Sequence, residues 1–251
     1  MNSRILTPSS VLLPALVQGC KKDGGRILIV GSDENLAEKL AKAASDMKTE
    51  VISEDAFLST QMEDTSYDMV VFPASLHRIS SLAERDAYTV KPIHKALEKA
   101  RTLLTPERVL IIQDGIKAEV THHTSLASFR FLDQKDNGYA ERFSQEFNGK
   151  PVIHISEGGT IKGRRDIIKE LLFTYILGEE KWDRAVREQY GILTKKDWLN
   201  TVKNAGFEIG AKMYFADSFA DSLQTKTDML SWTKAMFDES TIVLAAKKNN
   251  N

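Results

Sequence analysis

Three short runs of aliphatic residues constrain this chain more than any other feature: Arg26 to Val30 (RILIV), Tyr67 to Phe72 (YDMVVF) and Arg108 to Gln113 (RVLIIQ). Each is too apolar to keep one face in water. A strand of that kind is buried on both sides, as happens where helices cover both faces of a parallel sheet. The intervening stretches supply the helices. Leu36, Leu40 and Ala44 share one helical face after the first run, with Ser32 or Asp33 as its cap. Ile93, Leu97, Ala100 and Leu104 do the same across Pro92 to Leu104. Glu50 to Ser53 (EVIS) reads as a further strand, and Thr105-Pro106-Glu107 as a turn. The fold class expected is α/β, a doubly wound and mostly parallel sheet.

From Ile116 to about Gly191 the alternation stops. Tyr139 to Phe147 and Arg165 to Ile176 are helical in pattern, with a short strand at Pro151 to Ser156 between them. Residues 116–192 therefore read as a helical cap embedded in a single domain that spans 1–251. Beyond the cap, Thr194 caps a helix that Gly206 stops, and Phe207 to Phe215 and Thr241 to Ala245 are strands. No internal repeat or low-complexity linker divides the chain.

Charge excludes some partners. Lys and Arg number 34 against 35 for Asp and Glu, so no domain-wide positive field draws nucleic acid. One cysteine, Cys20, rules out an internal disulfide and a Cys-rich zinc site, and fits a reducing, cytoplasmic location. No apolar run is long enough to span a membrane. Arg4, the apolar stretch Val11 to Val17, Gly19 and Cys20 have the outline of a short secretion signal, but Pro14 and Gln18 interrupt it. A helix packed beside the first strand is expected instead.

The first strand runs into Gly31-Ser32-Asp33-Glu34-Asn35. A strand, a glycine turn and a helix place backbone N–H groups beside a bound cofactor. A dinucleotide site wants three glycines, and the Asp33 and Glu34 carboxylates repel a pyrophosphate. A cationic or zwitterionic cofactor suits this turn better, and a plain strand-to-helix turn explains it equally well. A Cβ on Gly31 is expected to enter the cofactor pocket.

The order of the remaining motifs is more telling. Tyr67-Asp68-Met69-Val70-Val71-Phe72 is followed by Ser75-Leu76-His77. A helix then ends in Leu103-Leu104-Thr105-Pro106, before Val109 to Ile112 and Gln113-Asp114-Gly115. Late in the chain come Asp197-Trp198-Leu199 and Ala205-Gly206-Phe207. In this order the chain resembles the class I S-adenosylmethionine-dependent methyltransferases over about residues 20–246. Phe173-Thr174-Tyr175 and Glu188-Gln189-Tyr190-Gly191 are similar to the cap segment of one branch of that family. The resemblance implies a Rossmann-like sheet ending in an antiparallel hairpin. It also implies S-adenosylmethionine as cofactor, and methyl transfer to a small molecule or a polymer end. Two departures are plain. The turn has Gly31 alone, and Glu50 to Tyr67 leaves room for one strand where the family has two. Glu54 and Asp55-Ala56 are the residues left to meet the ribose and adenine. The alternative is a non-catalytic relative that binds a partner protein; an NAD(P)-dependent oxidoreductase fits the single glycine poorly.

Cofactor-binding candidates are thus Gly31, Ser32, Asp33, Glu54, Asp55 and Ala56. The catalytic candidates are His77 and Asp114, at the strand ends where ligands of such sheets sit. His77 is read either as a proton acceptor near neutral pH or as a histidine that anchors its loop. Asp114 either orients a substrate or caps the turn at Gly115. His122-His123 is a poor chelate because neighbouring side chains diverge, so no metal is expected. Tyr175, Trp182 and Tyr190 either wall an acceptor pocket or fill the core. Gly158 to Arg165 reads as a solvated, glycine-rich basic loop rather than a phosphate site.

Overall fold

The computed structural model describes residues 8–62, 67–83, 87–119, 126–148, 151–216, 220–229, 237 and 239–249. Its elements begin with α1 (Pro8–Cys20), β1 (Arg26–Val30), α2 (Glu34–Ala43), β2 (Lys48–Ile52), α3 (Glu54–Ser59), β3 (Tyr67–Pro73), α4 (Leu76–Ser81), α5 (Lys91–Leu103) and β4 (Leu104–Gly115). The cap follows as β5 (Leu126–Phe131), α6 (Asn137–Glu146), β6 (Ile153–Ile155), β7 (Ile161–Arg164), α7 (Arg165–Leu177) and α8 (Trp182–Ala185). The chain closes with α9 (Lys195–Asn204), β8 (Phe207–Phe215), α10 (Ala220–Gln224), β9 (Thr227–Met229) and β10 (Thr241–Lys248).

The large sheet has the order β2-β1-β3-β4-β10-β8. β1 runs parallel to β2 and β3, β3 is parallel to β4, and β10 is antiparallel to both β4 and β8. This is the mostly parallel sheet with an antiparallel end that the motif order implied, with a single strand between α2 and β3. The β1 run is buried on both faces because successive side chains point to opposite sides. Leu28 and Val30 join α5 and α9 in one layer, while Ile27 and Ile29 meet Leu13 and Val17 of α1 and Leu40 of α2 in the other. The apolar runs therefore dictate helices on both sides. Cys20 ends α1 half-buried, and burial pushes its thiol pKa up, so it is a poor nucleophile.

Two expectations need correction. Thr105-Pro106-Glu107 is not a turn; it lies within β4, with Glu107 at φ 61° and a register slip against β3 between Tyr67 and Met69. Gly158 to Arg165 is not wholly loop, because Ile161–Arg164 is the strand β7. It pairs with β5 and β6, and Gly163 packs against Ile168. Residues 126–185 hold the two expected helices, α6 and α7, and three strands of a second sheet of order β6-β7-β5-β9. Its last strand comes from beyond residue 192: Thr227–Met229 pairs with Phe129–Phe131. Tyr175 and Trp182 belong to the cap's own core, with Phe129, Phe131 and Phe143.

Candidate active site

β1 lies between β2 and β3, so the chain reverses its winding direction there, and the carboxyl ends of these strands frame the crevice where such sheets bind ligands. β3 ends at Pro73, and Ala74 then takes φ 55°, a left-handed conformation that costs a non-glycine residue roughly 1 kcal/mol. The Ala74 N–H donates to the Gln113 carbonyl at 2.7 Å, which ties this turn to β4. The turn places His77 in the first turn of α4.

His77 and Asp114 are brought together. The His77 backbone N–H donates to Asp114 Oδ2 at 3.0 Å, its Nδ1 lies 2.7 Å from Oδ1, and the Gly115 N–H donates to Oδ1 at 2.7 Å. Asp114 therefore fastens the His77 loop and accepts from the Gly115 N–H at the turn. On the other side of the ring, Nε2 lies 3.8 Å from Glu188 Oε2, an ion-pair distance and not a hydrogen bond. Neither atom has a hydrogen-bond partner, though both are buried. Burial works against the imidazolium, but Asp114 and then Glu188 outweigh it and push the ring up to about 10. A pKa raised to that level favours the imidazolium form of His77. Burial favours neutral Glu188, yet the His77 and Arg184 cations prevail and hold its carboxyl below the usual range.

Glu188 arrives on a strap, residues 188–193, that crosses the sheet edge. Gln189 N–H donates to Ser81 Oγ at 2.9 Å, and the N–H groups of Tyr190 and Gly191 donate to Glu170 on α7 at 2.9 and 2.8 Å. The strap lies so close to β4 that a Cβ on Gly115 would stand 2.2 Å from the Tyr190 carbonyl. A Cβ on Gly191 would meet Lys117 Cα at 2.8 Å. The Glu188-Gln189-Tyr190-Gly191 motif thus has a physical reason. The acid meets His77, Tyr190 packs on the imidazole with ring centroids 4.9 Å apart, and the glycine permits close passage.

The cofactor candidates lie along the β1–β2 half of the same edge. Asp33 caps α2, its side chain accepting from Leu36 N–H at 3.0 Å. Ser53 caps α3 by accepting from the Ala56 N–H at 3.3 Å, so that N–H is already spent. Asp55 is exposed in the first turn of α3. Glu54 is buried, and its Oε1 accepts from Arg78 at 3.0 Å and from Ser32 Oγ at 3.4 Å. Arg78 also donates to Ser32 Oγ at 3.0 Å. A Cβ on Gly31 would make ordinary contact with Pro73 at 3.4 Å and Ser75 at 3.8 Å.

Arg78 joins the two halves. Its Nε lies 3.6 Å from Glu188 Oε1, so Glu54, Arg78, Glu188, His77 and Asp114 alternate in sign across the strand ends. Arg184 closes the set by donating to Glu188 at 2.7 Å. Arg78 also lines the spaces on both sides. One is an open groove of about 500 Å³ with Ser32, Ser53, Glu54 and Asp55 on its wall. The other is a cavity of about 150 Å³ bounded by His77, Gln113, Phe173, Leu177 and Tyr190. Sequence reasoning missed Arg78 entirely, since one arginine in a helix carries no pattern. Among the described residues no group of His, Cys, Asp and Glu is arranged to hold a metal ion. His122-His123 lies outside the described residues. No described helix is long and apolar enough to cross a membrane.

No protein-family model matches this chain, and no curated protein matches its sequence. Several solved structures are remotely similar. A methyltransferase structure from Bacillus halodurans, described as putative, gives a TM-score of 0.47 at 11% identity, over 95% of this chain and 98% of that one. An S-adenosylmethionine-dependent methyltransferase from Methanosarcina mazei gives 0.45 at 12% identity, over 94% and 98%. The [4+2]-cyclase SpnF gives 0.46 at 15% identity, over 96% and 82%. Such likeness is too remote to bring an activity to this chain, and the fold rests on its own strand order.

Proposed function

We propose that this protein is an enzyme that transfers a methyl group from S-adenosylmethionine to a small-molecule acceptor in the cytoplasm. The observation that supports this best is the pair of spaces flanking Arg78 at the carboxyl edge of the sheet, one polar and open, one small and aromatic. The groove is within the range of small-molecule sites, about 300–1,000 Å³. Its wall carries hydroxyls and carboxylates, from Ser32, Ser53, Glu54 and Asp55, beside Arg78, Arg184 and Arg187, and the hydroxyls and carboxylates suit a ribose diol. Bound there, the cofactor would supply an electrophilic methyl group on a cationic sulfur.

The chain's own residues supply placement. Methyl transfer needs proximity and alignment more than acid–base chemistry, so an already protonated His77 is no obstacle. Asp114 holds the ring by Nδ1, Glu188 balances its charge, and the strap with Tyr190 closes the cavity over it. A second reading, a non-catalytic relative that binds a partner protein, is favoured by one observation. The Arg78 guanidinium already sits on the Glu54 carboxylate that the ribose would need.

Calorimetric titration with S-adenosylmethionine and S-adenosylhomocysteine separates the two. The methyltransferase reading expects micromolar binding, weakened about ten- to a hundredfold in Glu54→Ala by loss of a charge-assisted hydrogen bond. Absence of binding at millimolar ligand gives the second reading the site.

A further inference from the structure

The cavity beside His77 has a chemistry of its own. About 150 Å³ is the volume that holds a benzene-sized ring. Phe173, Leu177 and Tyr190 make three of its walls, and ring centroids of Phe173 and Tyr190 stand 5.5 Å apart. Gln113, near the end of β4, also lines the cavity. Its side chain is 6% exposed, and its buried Oε1 has no hydrogen-bond partner. A buried amide oxygen left unpaired is costly, so the site favours a donor that reaches it. The cations of the site, His77, Arg78 and Arg184, are matched by Glu54, Asp114 and Glu188 through ion pairs. The set leaves no uncompensated charge for a ligand to neutralise, and a charged ligand would be desolvated without gain.

We propose that this cavity takes a small, uncharged aromatic or heteroaromatic molecule that donates an O–H or N–H to Gln113 Oε1. This names the acceptor class of the methyl-transfer reading and rests on that reading for the word acceptor. The recognition itself requires no cofactor.

Four ring compounds of similar size test it on the full chain without cofactor, by calorimetry or ligand-observed NMR. Phenol has the ring and the donor; toluene lacks the donor; benzoate and benzylammonium carry opposite charges. Phenol is expected to bind about tenfold more tightly than each of the others. In Gln113→Leu, phenol and toluene should bind within about twofold of each other. No phenol binding at its solubility limit, tighter binding of benzoate or benzylammonium, or a phenol preference that survives Gln113→Leu overturns the assignment. The wild-type comparison stands even where the variant does not fold. Phenol binding without S-adenosylmethionine binding would support the cavity's chemistry while removing methyl transfer as its use.

Discussion

Above the carboxyl ends of β3 and β4, in the middle of the large sheet, His77, Asp114 and Glu188 are each 2% exposed or less. At the β1–β2 end, Ser32, Asp33 and Asp55 stand in solvent, and Glu54 alone is buried. Both ends use the same kinds of residue at the same edge of one sheet. They differ in what covers them. The cap's strap crosses β3 and β4, so charges there lose water and must find partners inside the protein. The other end faces an open groove, where Asp33 and Asp55 stay hydrated and only Glu54 is buried, against Arg78. Buried beside two carboxylates, His77 is favoured as a cation against the cost of burial, while Asp55 at the open side faces solvent.

The comparison breaks most visibly when a buried partner is removed. Asp114→Ala strips His77 of its nearest counter-ion and leaves the Gly115 N–H without its acceptor. The cost expected is about 3–5 kcal/mol, read from urea unfolding. Asp55→Ala, at the open end, should change the same measurement by less than about 0.5 kcal/mol. Equal effects would erase the distinction between the two ends.

The pH dependence of stability follows next. The His77 pKa rises from its ordinary value of 6.5 to about 10 on folding. A raised folded pKa means that the folded state binds the extra proton. The stabilisation is therefore complete below about 6.5 and is lost as the pH climbs from there through about 10. At roughly 1.4 kcal/mol per pH unit the loss amounts to several kcal/mol. Glu188, held below the usual carboxylate range, adds a term of opposite sign, lost as the pH falls through its folded pKa. Urea midpoints from pH 6 to 10 measure the His77 term. A flat profile, or an unchanged one in His77→Gln, would show that the ring carries no such charge.

Two glycines sharpen the contrast at smaller scale. Gly115→Ala forces a Cβ to within 2.2 Å of the Tyr190 carbonyl, and backbone cannot rotate aside. The strap should shift at a cost of about 1–3 kcal/mol. Gly31→Ala meets only Pro73 and Ser75 at ordinary distances, and its effect on stability should stay below about 1 kcal/mol. Thermal unfolding of the two variants side by side checks the order.

The smallest effect belongs to the turn itself. Asp33→Ala removes the cap on α2, whose loss costs about 0.5–2 kcal/mol in most helices, and in this exposed first turn the low end is expected. Asp33→Asn should recover nearly all of it, since an amide oxygen caps as well as a carboxylate.

The central strands of the large sheet were legible from residues alone, because the buried stretches of β1, β3 and β4 are apolar on both faces, whereas the edge strands β2 and β8 are largely exposed. Local order carried the helix caps at Asp33 and Thr194 and the stop at Gly206, since each acts on its own neighbours. The pairing of His77 with Asp114 was half legible: both were placed at strand ends, but their separation depends on the β3–β4 register. What no local pattern could show is charge state. The raised pKa of His77 depends first on Asp114, 37 positions away, and then on Glu188, 111 positions away in sequence and delivered by a strap whose path Glu170 and Ser81 set. Arg78 was invisible for the same reason: its partners come from three separate segments. The cap's second sheet was missed because its strands are short and its fourth member lies beyond β8. Apolar periodicity is written along the chain and can be read there. Electrostatic environment is a sum over everything that folding brings within a few ångströms, and only the tertiary structure performs that sum.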